Sequence, residues 1–203
     1  MAAWINFALL LALSAATVTL YCLSVRPEAW SRRIGPRAYP LSGRIRTVSM
    51  VTMFLALGCF ILYSILPLPI PLARTLPWPY AISFFVALGL TVPAGYFLVR
   101  GVKDAGEEAA VPDPDTPLFK GVYTQIRHPQ AWEAMAWPVL ALLLNSPFLL
   151  LYSLFWLALE YIMVRSEERD LLLRFGDAYA AYRRQTPAFI PRIKARKNRM
   201  PLR

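Results

Sequence analysis

Three long runs without a charged side chain occupy most of the first half of the chain, at residues 3–25, 47–73 and 75–99. The hydrocarbon core of a bilayer is about 30 Å thick, and a helix needs about 20 apolar residues to cross it. Each run is long enough to do so. The sequence therefore predicts an integral membrane protein with helical spans. Pro93, inside the third run, can kink a membrane helix without breaking it.

The composition agrees with a membrane protein. Hydrophobic residues make up 57% of the chain and charged residues 17%, whereas soluble domains average about 45–50% and about 25%. This hydrophobicity excludes intrinsic disorder. Cys22 and Cys59 both lie in apolar runs and do not form the framework of a disulfide-rich secreted protein. No basic residue precedes the first run, which is also longer than a signal-peptide core, so we interpret it as a membrane helix.

A fourth apolar stretch, residues 134–164, is interrupted by a single charge, Glu160. As one helix it would be about 46 Å long, too long for one upright span and too short for two. Asn145 and Pro147 lie near its middle and favour a turn there. We therefore predict a helical hairpin whose first arm starts with Pro129 at the first helical position. This gives an all-α fold with five transmembrane helices, followed by short cytoplasmic C-terminal helices.

The distribution of basic residues predicts the orientation in the membrane. Residues 26–46 carry six arginines and one acidic residue, whereas the proline-rich turn between the second and third runs carries only Arg74. By the positive-inside rule, residues 26–46, residues 100–127 and the C-terminus lie in the cytoplasm and the N-terminus lies outside. The sequence thus predicts a multi-pass protein of the cell membrane.

The C-terminal tail is strongly basic. Residues 183–203 contain eight Lys and Arg and no acidic residue. A basic cluster next to a membrane helix is typical of a segment that faces anionic lipid headgroups. Nucleic acid is the other partner that such a tail could bind, and we expect lipid instead.

Polar residues suited to chemistry fall in two segments that flank the predicted hairpin. Residues 116–129 include the only histidine, His128, and residues 165–182 include Glu167 and Glu168. Because both segments adjoin the ends of one hairpin, we expect them at the same membrane face and close in space. The sequence therefore predicts one site rather than two.

Helical spacing places acidic residues near the membrane surface. Glu160 and Glu167 are seven residues apart and share one face of a helix. Gly176 suits the left-handed position that follows a helix, and Asp177 can cap a short amphipathic helix after it. These features predict a helix that leaves the membrane and ends near Gly176.

Simpler interpretations stay open for the same residues. His128 can be an ordinary interfacial polar side chain. The two neighbouring glutamates can pair with any of three nearby arginines, Arg165, Arg169 or Arg127. One histidine and two distant cysteines lack the spacing of metal ligands, so no metal is predicted.

Five short motifs occur in order in the second half of the chain: Gly121-Val122-Tyr123, Arg127-His128-Pro129, Glu167-Glu168, Phe175-Gly176 with Tyr179 and Tyr182, and a segment from Pro187 to Pro191. In order and spacing they resemble the C-terminal part of the isoprenylcysteine carboxyl methyltransferases and their phospholipid-methyltransferase-like relatives. The resemblance covers residues 116–191 and is specific for the superfamily, not for a substrate. The three N-terminal helices match that family only in number and hydrophobicity.

The resemblance implies a membrane enzyme that binds S-adenosyl-L-methionine in a pocket facing the cytoplasm. It divides the chain into three membrane helices with a basic loop (1–110), a cofactor-binding region with the hairpin (111–191) and a basic tail (192–203). Carried over by position, the cofactor contacts fall on eight residues, namely Thr116, Leu118, Tyr123, His128, Pro129, Gln130, Ala131 and Glu167.

One of these positions departs from the family pattern. The family commonly has a tyrosine where this chain has Ala131, and Trp132 follows it. The aromatic contact is therefore lost or supplied by the neighbouring residue.

The residue types suit a cofactor with a carboxylate, an ammonium, a ribose diol and a flat adenine. Arg127 and His128 can meet the carboxylate, and Glu167 or Glu168 can accept hydrogen bonds from the ammonium or the ribose. Three aromatic side chains can enclose the adenine or the sulfonium, namely Tyr123, Tyr179 and Tyr182.

The catalytic candidates depend on the methyl acceptor. Methyl transfer from a sulfonium mainly requires an aligned nucleophile and the exclusion of water. A carboxylate acceptor needs an arginine to orient it. Arg165 is the nearest match to an arginine that the family places on the substrate side, and Arg127 is the second candidate. An amine or thiol acceptor needs a base, and His128 or Glu168 can supply it.

We therefore expect a membrane methyltransferase that acts on a lipophilic substrate, of the isoprenylcysteine carboxylate or lipid type, which enters sideways from the bilayer. Two alternatives stay open: an NADPH-dependent membrane reductase of related fold, and a non-enzymatic membrane component that keeps the fold, such as a scaffold or a denitrification-associated protein. The sequence does not distinguish a prenylcysteine, a phospholipid amine, a quinone-like phenol or a small thiol as the acceptor. It does not define the oligomeric state either.

Overall fold

The structure is a computed structural model that describes residues 1–115 and 120–191. Within these ranges the chain is helical and has no strand, which confirms the all-α prediction. The α-helices are α1 (Ala2–Ser24), α2 (Pro27–Ile34), α3 (Ala38–Leu62), α4 (Tyr80–Ala105), α5 (Ala136–Leu143) and α6 (Pro147–Gln185). Short 3-10 segments are Gly35–Arg37, Gly106–Ala109, Gly121–Thr124 and Gln130–Met135. Thr116, Leu118 and the basic tail at 192–203 lie outside the described residues.

Four stretches in the described residues are long and apolar enough to cross a membrane: Ala2–Ser24, Pro27–Leu62, Tyr80–Ala109 and Pro147–Gln185. The three predicted spans in the first half of the chain are thus helices. The third of them, α4, continues through Pro93 without a break, as expected.

The predicted fifth span is not a long helix, and the count of five is not confirmed. The first arm of the hairpin consists of the 3-10 segment Gln130–Met135 and the eight-residue helix α5. Pro129 precedes the 3-10 segment and does not begin a membrane helix. A pattern of apolar residues does not distinguish a 3-10 segment from the first turns of an α-helix, since both bury apolar side chains at similar spacing.

The predicted turn between the two arms is present. Asn145 adopts a positive φ of 52°, a conformation that asparagine tolerates better than most residues. Ser146 then caps α6, because its hydroxyl accepts a hydrogen bond from the backbone N–H of Leu149 at 3.3 Å. Pro147 occupies the first position of α6, where its missing N–H costs nothing.

Residues 130–143 run antiparallel to α4 along most of its length. At one end, a Cβ atom on Gly101 would lie 2.9 Å from the Pro129 side chain, so only glycine allows this approach. At the other end, the hydroxyl of Tyr80 donates to the carbonyl of Leu143 at 3.2 Å. The start and the end of this segment therefore lie beside opposite ends of α4.

An aromatic core joins the two halves of the chain. Trp137 of α5 stacks on Trp156 of α6 with ring centroids 4.2 Å apart, and Phe60 of α3 meets Trp137 edge-on at 5.0 Å. The hydroxyls of Tyr152 and Ser14 are 2.7 Å apart and link α6 to α1 by a buried hydrogen bond. These contacts hold α6 against α1 and α3, so the first helices can contribute to a site on α6.

The basic connection between the first two spans is helical and not the loop that its charge suggested. It forms α2 and the first turns of α3. Asp170 of α6 accepts hydrogen bonds from the backbone N–H groups of Glu28 and Ala29, at 3.2 and 2.9 Å. These groups belong to the first turn of α2, where a carboxylate also complements the helix dipole. A residue distant in the sequence therefore caps α2.

The helix α6 changes direction at Gly176, where the predicted helix end was placed. The φ of Gly176 is 51°, outside the helical region, and helical structure resumes after it up to Gln185. No hydrogen bond of the Asp177 side chain is found within residues 1–115 and 120–191, so the capping role predicted for it is not supported. The bend carries Tyr179 and Tyr182 back toward the rest of the protein, where both are buried.

Candidate functional site

A buried ion pair joins the two polar segments. Nε and Nη2 of Arg127 donate to Oε1 of Glu168 at 2.9 and 2.6 Å. Nη1 of Arg127 donates to the carbonyl of Arg183 at 3.0 Å and to that of Thr186. All three nitrogens of this guanidinium thus donate to protein acceptors. Arg127 fastens α6 and the chain after it to the segment before the hairpin.

The imidazole of His128 lies between the two glutamates. Nδ1 is 3.3 Å from Oε2 of Glu167, and Nε2 is 3.3 Å from Oε1 of Glu168. Burial opposes protonation of this ring, but the hydrogen bonds and negative charges of the two carboxylates outweigh burial and raise the pKa of His128 above its ordinary value. The geometry therefore suits an imidazolium that donates to both glutamates.

The backbone reinforces the same junction. The N–H groups of Arg127 and His128 donate to the carbonyls of Pro187 and Ala188, at 2.9 and 3.2 Å. The indole N–H of Trp132 donates to the carbonyl of Phe189 at 3.1 Å. The closing segment that follows α6 thus runs along the Arg-His-Pro motif. The two segments that the sequence predicted to form one site are in direct contact.

A cavity of about 350 Å³, here called the polar cavity, opens beside this junction. Its volume lies in the range of small-molecule sites. Every cofactor-contact candidate that the structure describes lines it: Tyr123, His128, Pro129, Gln130, Ala131, Glu167, Tyr179 and Tyr182. Of the four catalytic candidates, Arg127 and His128 line the polar cavity, whereas Glu168 and Arg165 are not among its lining residues. The side chain of Arg165 is 45% exposed and 3.8 Å from Glu168.

Two tyrosines on the cavity wall, Tyr123 and Tyr182, are fixed by hydrogen bonds. The hydroxyl of Tyr182 donates to the carbonyl of Tyr123 at 2.7 Å. The hydroxyl of Tyr123 donates to the carbonyl of Gly101 at 3.2 Å and accepts from Nε2 of Gln130 at 3.1 Å. Burial raises the pKa of Tyr123, so its phenol is neutral. These rings form a fixed wall for a flat ligand group.

The N-terminal helices contribute cavity residues that the sequence did not single out. Tyr21 of α1 and Arg46 of α3 line the polar cavity, together with Glu108 and Arg174. Nη2 of Arg174 and Oε1 of Glu108 form a buried ion pair at 2.8 Å. In the sequence Arg46 belongs to a cluster of six arginines, and no local pattern separates it from the other five.

Three buried polar groups on the cavity wall have no hydrogen-bond partner within the described part of the chain: Nε of Arg46, Nε of Arg174 and the hydroxyl of Tyr179. Nη1 of Arg46 donates to the carbonyls of Glu108 and Ala109, at 3.3 and 3.0 Å, which holds the side chain in place. A buried donor without a partner costs about 1–3 kcal/mol. These two arginines can therefore receive an anionic group, a role the sequence assigned to Arg127 and His128, which donate to protein acceptors instead.

A second cavity of about 310 Å³, here called the apolar groove, adjoins the polar cavity. Its walls include Trp132, Leu157, Tyr161 and Phe189, and Ala131 and Glu160 line both cavities. Trp132 lines only the groove, so it does not supply the aromatic contact to the polar cavity that is missing at Ala131. The groove reaches the surface of the protein, because Tyr161 on its wall is 54% exposed.

Comparisons with known proteins point to a methyltransferase. The chain is 28% identical over 145 residues to methanethiol S-methyltransferase 2 of Bradyrhizobium diazoefficiens, an alignment that covers 64% of this chain and 54% of that protein. The chain thus spans about half the length of this relative. No protein-family model matches the chain, and no solved structure matches it significantly. The similarity to this relative confirms the resemblance to the membrane methyltransferases that the motifs indicated.

Proposed function

We propose that the chain is an S-adenosyl-L-methionine-dependent methyltransferase that acts on a lipophilic acceptor at the cytoplasmic face of the membrane. The observation that carries this proposal is the polar cavity. All eight described cofactor-contact candidates line it, although they come from three separate segments of the chain. The similarity to a curated methyltransferase supports the same reaction class.

The free polar groups of the cavity suit this cofactor. The unpartnered nitrogens of Arg46 and Arg174 are placed to receive its carboxylate. Glu167, whose Oε2 contacts His128, is placed to accept from its ammonium or ribose hydroxyls. The buried hydroxyl of Tyr179 can serve the ribose, and the ring of Tyr123 the adenine.

The chain's own residues then have to bring the acceptor to the methyl group and exclude water. When bound, the cofactor supplies a methyl group on a positively charged sulfur. The apolar groove offers a route by which an acceptor can approach from the bilayer, since it adjoins the polar cavity at Ala131 and Glu160. Alignment of the acceptor inside a closed site can account for a large share of the rate enhancement.

As the methyl acceptor we propose an isoprenylcysteine carboxylate or a lipid. A small thiol is a second candidate, because the relative that matches the chain is named a methanethiol S-methyltransferase.

Transfer of label tests the proposed reaction. Membranes that contain the protein are incubated with S-adenosyl-L-methionine labelled in its methyl group, and label is followed into lipid, protein and volatile products. We expect label in one of these fractions with the wild type and at least tenfold less with Glu167→Gln. Glu107→Gln, on an exposed residue that lines neither cavity, is the matched control and should label as the wild type does. Absence of label in every fraction would contradict the proposal.

A further inference from the structure

Glu160 is a buried carboxyl group for which the described part of the chain offers no partner. It lies in the apolar half of α6 and is 7% exposed. Within residues 1–115 and 120–191 it accepts no hydrogen bond, and no Lys, Arg or His forms an ion pair with it. An ionisable side chain at this depth is costly and usually belongs to a functional site.

The position of Glu160 connects the two cavities. It lines the polar cavity together with Glu167, and it lines the apolar groove beside Leu157 and Tyr161. Among the described residues of the groove wall, Glu160 is the one with an acidic or basic side chain. An acceptor that enters from the groove therefore meets this carboxyl group next to the cofactor cavity.

The groups that face Glu160 do not offset its charge. Glu133 approaches from the 3-10 segment Gln130–Met135 and Glu167 from α6 itself, and both act on Glu160 as like charges. Glu160 also acts electrostatically on Tyr21 and Cys22 of α1. Burial raises the pKa of Glu133 above its ordinary value. Two neighbouring carboxyls in such a place share one proton, and the pair can take up a second one.

The two arginines predicted to orient a carboxylate acceptor, Arg127 and Arg165, do not line the apolar groove. Arg127 donates all its nitrogens to Glu168 and to backbone carbonyls. Arg165 does not line either cavity. A carboxylate in the groove would instead meet Glu160, which offers it no positive charge, with Glu133 as a second carboxyl behind it in the polar cavity.

We propose that the acceptor's reactive group is uncharged and carries a removable proton, as in a thiol or an amine, that its apolar part occupies the groove, and that Glu160 accepts the proton. This inference rests on the proposed function and narrows its acceptor. The bond between the methyl carbon and the donor sulfur breaks, and its electron pair stays on that sulfur, which becomes a neutral thioether. A new bond forms from the acceptor sulfur or nitrogen to the methyl carbon. The acceptor's proton passes to the Glu160 carboxylate and leaves through the polar cavity.

Three probes of equal chain length test the acceptor class: an alkanethiol, an alkylamine and an alkanoate. The purified full-length protein in detergent receives each probe with methyl-labelled S-adenosyl-L-methionine. We expect label in the thiol, the amine or both, and none in the alkanoate. Glu160→Gln should lower the transfer rate about 100-fold or more, which is typical of a lost general base, and Glu107→Gln should not.

Two binding measurements separate this inference from the proposed function. Glu160→Gln should bind S-adenosyl-L-methionine within about threefold of the wild type. Without the cofactor, thermal shifts should show that the alkanoate stabilises Glu160→Gln more than the wild type, because the repelling charge is gone. If the folded wild type does not bind the cofactor, the proposed function itself fails.

The inference is overturned by any of three results obtained with a protein that binds the cofactor. The first is label in the alkanoate, and the second is absence of label in both the thiol and the amine. The third is a Glu160→Gln variant that transfers at the wild-type rate when the cofactor is saturating. If such a variant has lost only cofactor affinity, Glu160 holds the sulfonium and does not accept the proton.

Discussion

Charged side chains are packed together where the two ends of the hairpin meet. Arg127 and His128 come from the segment before it, and Glu167 and Glu168 from α6. Arg127, His128 and Glu168 are largely removed from water, Glu167 is partly exposed, and each of the four is compensated by an opposite charge or a hydrogen bond within 3.3 Å. Loss of one member leaves another buried without its partner, which costs more than the pair itself contributes.

Glu168→Gln should destabilise the protein by about 3 kcal/mol or more, because the guanidinium of Arg127 loses its buried counter-ion. The free energy of unfolding in detergent, measured by chemical denaturation, checks this. Arg165→Gln is the control, since Arg165 is 45% exposed and lies 3.8 Å from the same carboxylate. Its effect should stay below about 1 kcal/mol. Equal losses for the two variants would contradict the assignment.

The pH dependence of stability should report the protonation of His128. The pKa of His128 is higher in the folded state than in the unfolded state, so protonation of His128 stabilises the fold. This contribution is complete below the pKa of the unfolded state, about 6.5, and is lost as the pH rises through the pKa of the folded state. The melting temperature of the wild type should therefore fall as the pH increases above about 6.5. His128→Gln should show a shallower fall over the same range. Superimposable pH profiles would show that the imidazole is not held charged by the two glutamates.

At the scale of helices, local sequence rules predicted where helices turn or bend better than they predicted how long the helices are. The turn at Asn145 and Pro147 and the bend at Gly176 both follow from residues with special backbone preferences. The first arm of the hairpin was predicted as a full span because apolar residues there are continuous. At the 3-10 start of this arm Pro129 packs closely against Gly101 of α4, a tertiary contact that local patterns do not contain.

Gly176→Ala should cost about 1 kcal/mol of stability, because an alanine at a φ of 51° is strained. It should also weaken cofactor binding, since the bend places Tyr179 and Tyr182 on the polar cavity. Gly58→Ala is the matched control. Neither position has an atom within 4 Å of an added Cβ, but Gly58 is an ordinary helical residue. Thermal unfolding and cofactor titration of both variants check this, and a neutral Gly176→Ala would contradict it.

Asp170→Ala should loosen α2, because the two N–H groups in its first turn lose their acceptor. Loss of a capping side chain typically costs about 0.5–2 kcal/mol. Limited proteolysis of the connection between α1 and α3 should accelerate in this variant. Asp177 is exposed on the same long helix, and the Asp177→Ala variant should be cleaved at the wild-type rate. Similar rates for both variants would show that Asp170 does not hold α2.

At the scale of the whole molecule, hydropathy predicted a membrane protein, and the motifs of the second half predicted one site. The participation of α1 and α3 was not predictable in the same way. Tyr21 and Arg46 reach the polar cavity because the core around Trp156 and Phe60 packs these helices against α6. Contacts between distant parts of a chain follow from packing, and a single sequence does not encode them as a local pattern.

The path of the backbone predicts termini on opposite sides of the membrane. Four helices alone would place both ends on one side. We expect residues 130–143, which run beside α4 between Gly101 and Tyr80, to provide the additional crossing. Reporter fusions or cysteine labelling at each end should find the N-terminus outside and the C-terminus in the cytoplasm. Both ends on the same side would contradict this topology.

Equilibrium binding of S-adenosyl-L-methionine to the purified, folded protein in detergent tests the central claim most directly. We expect saturable binding at one site, at least tenfold weaker in Arg174→Gln, whose unpartnered Nε lines the polar cavity, and unchanged in Glu107→Gln. A tenfold loss corresponds to about 1.4 kcal/mol. A folded protein that fails to bind this cofactor, or that is stabilised by reduced nicotinamide cofactor in its place, would contradict the account.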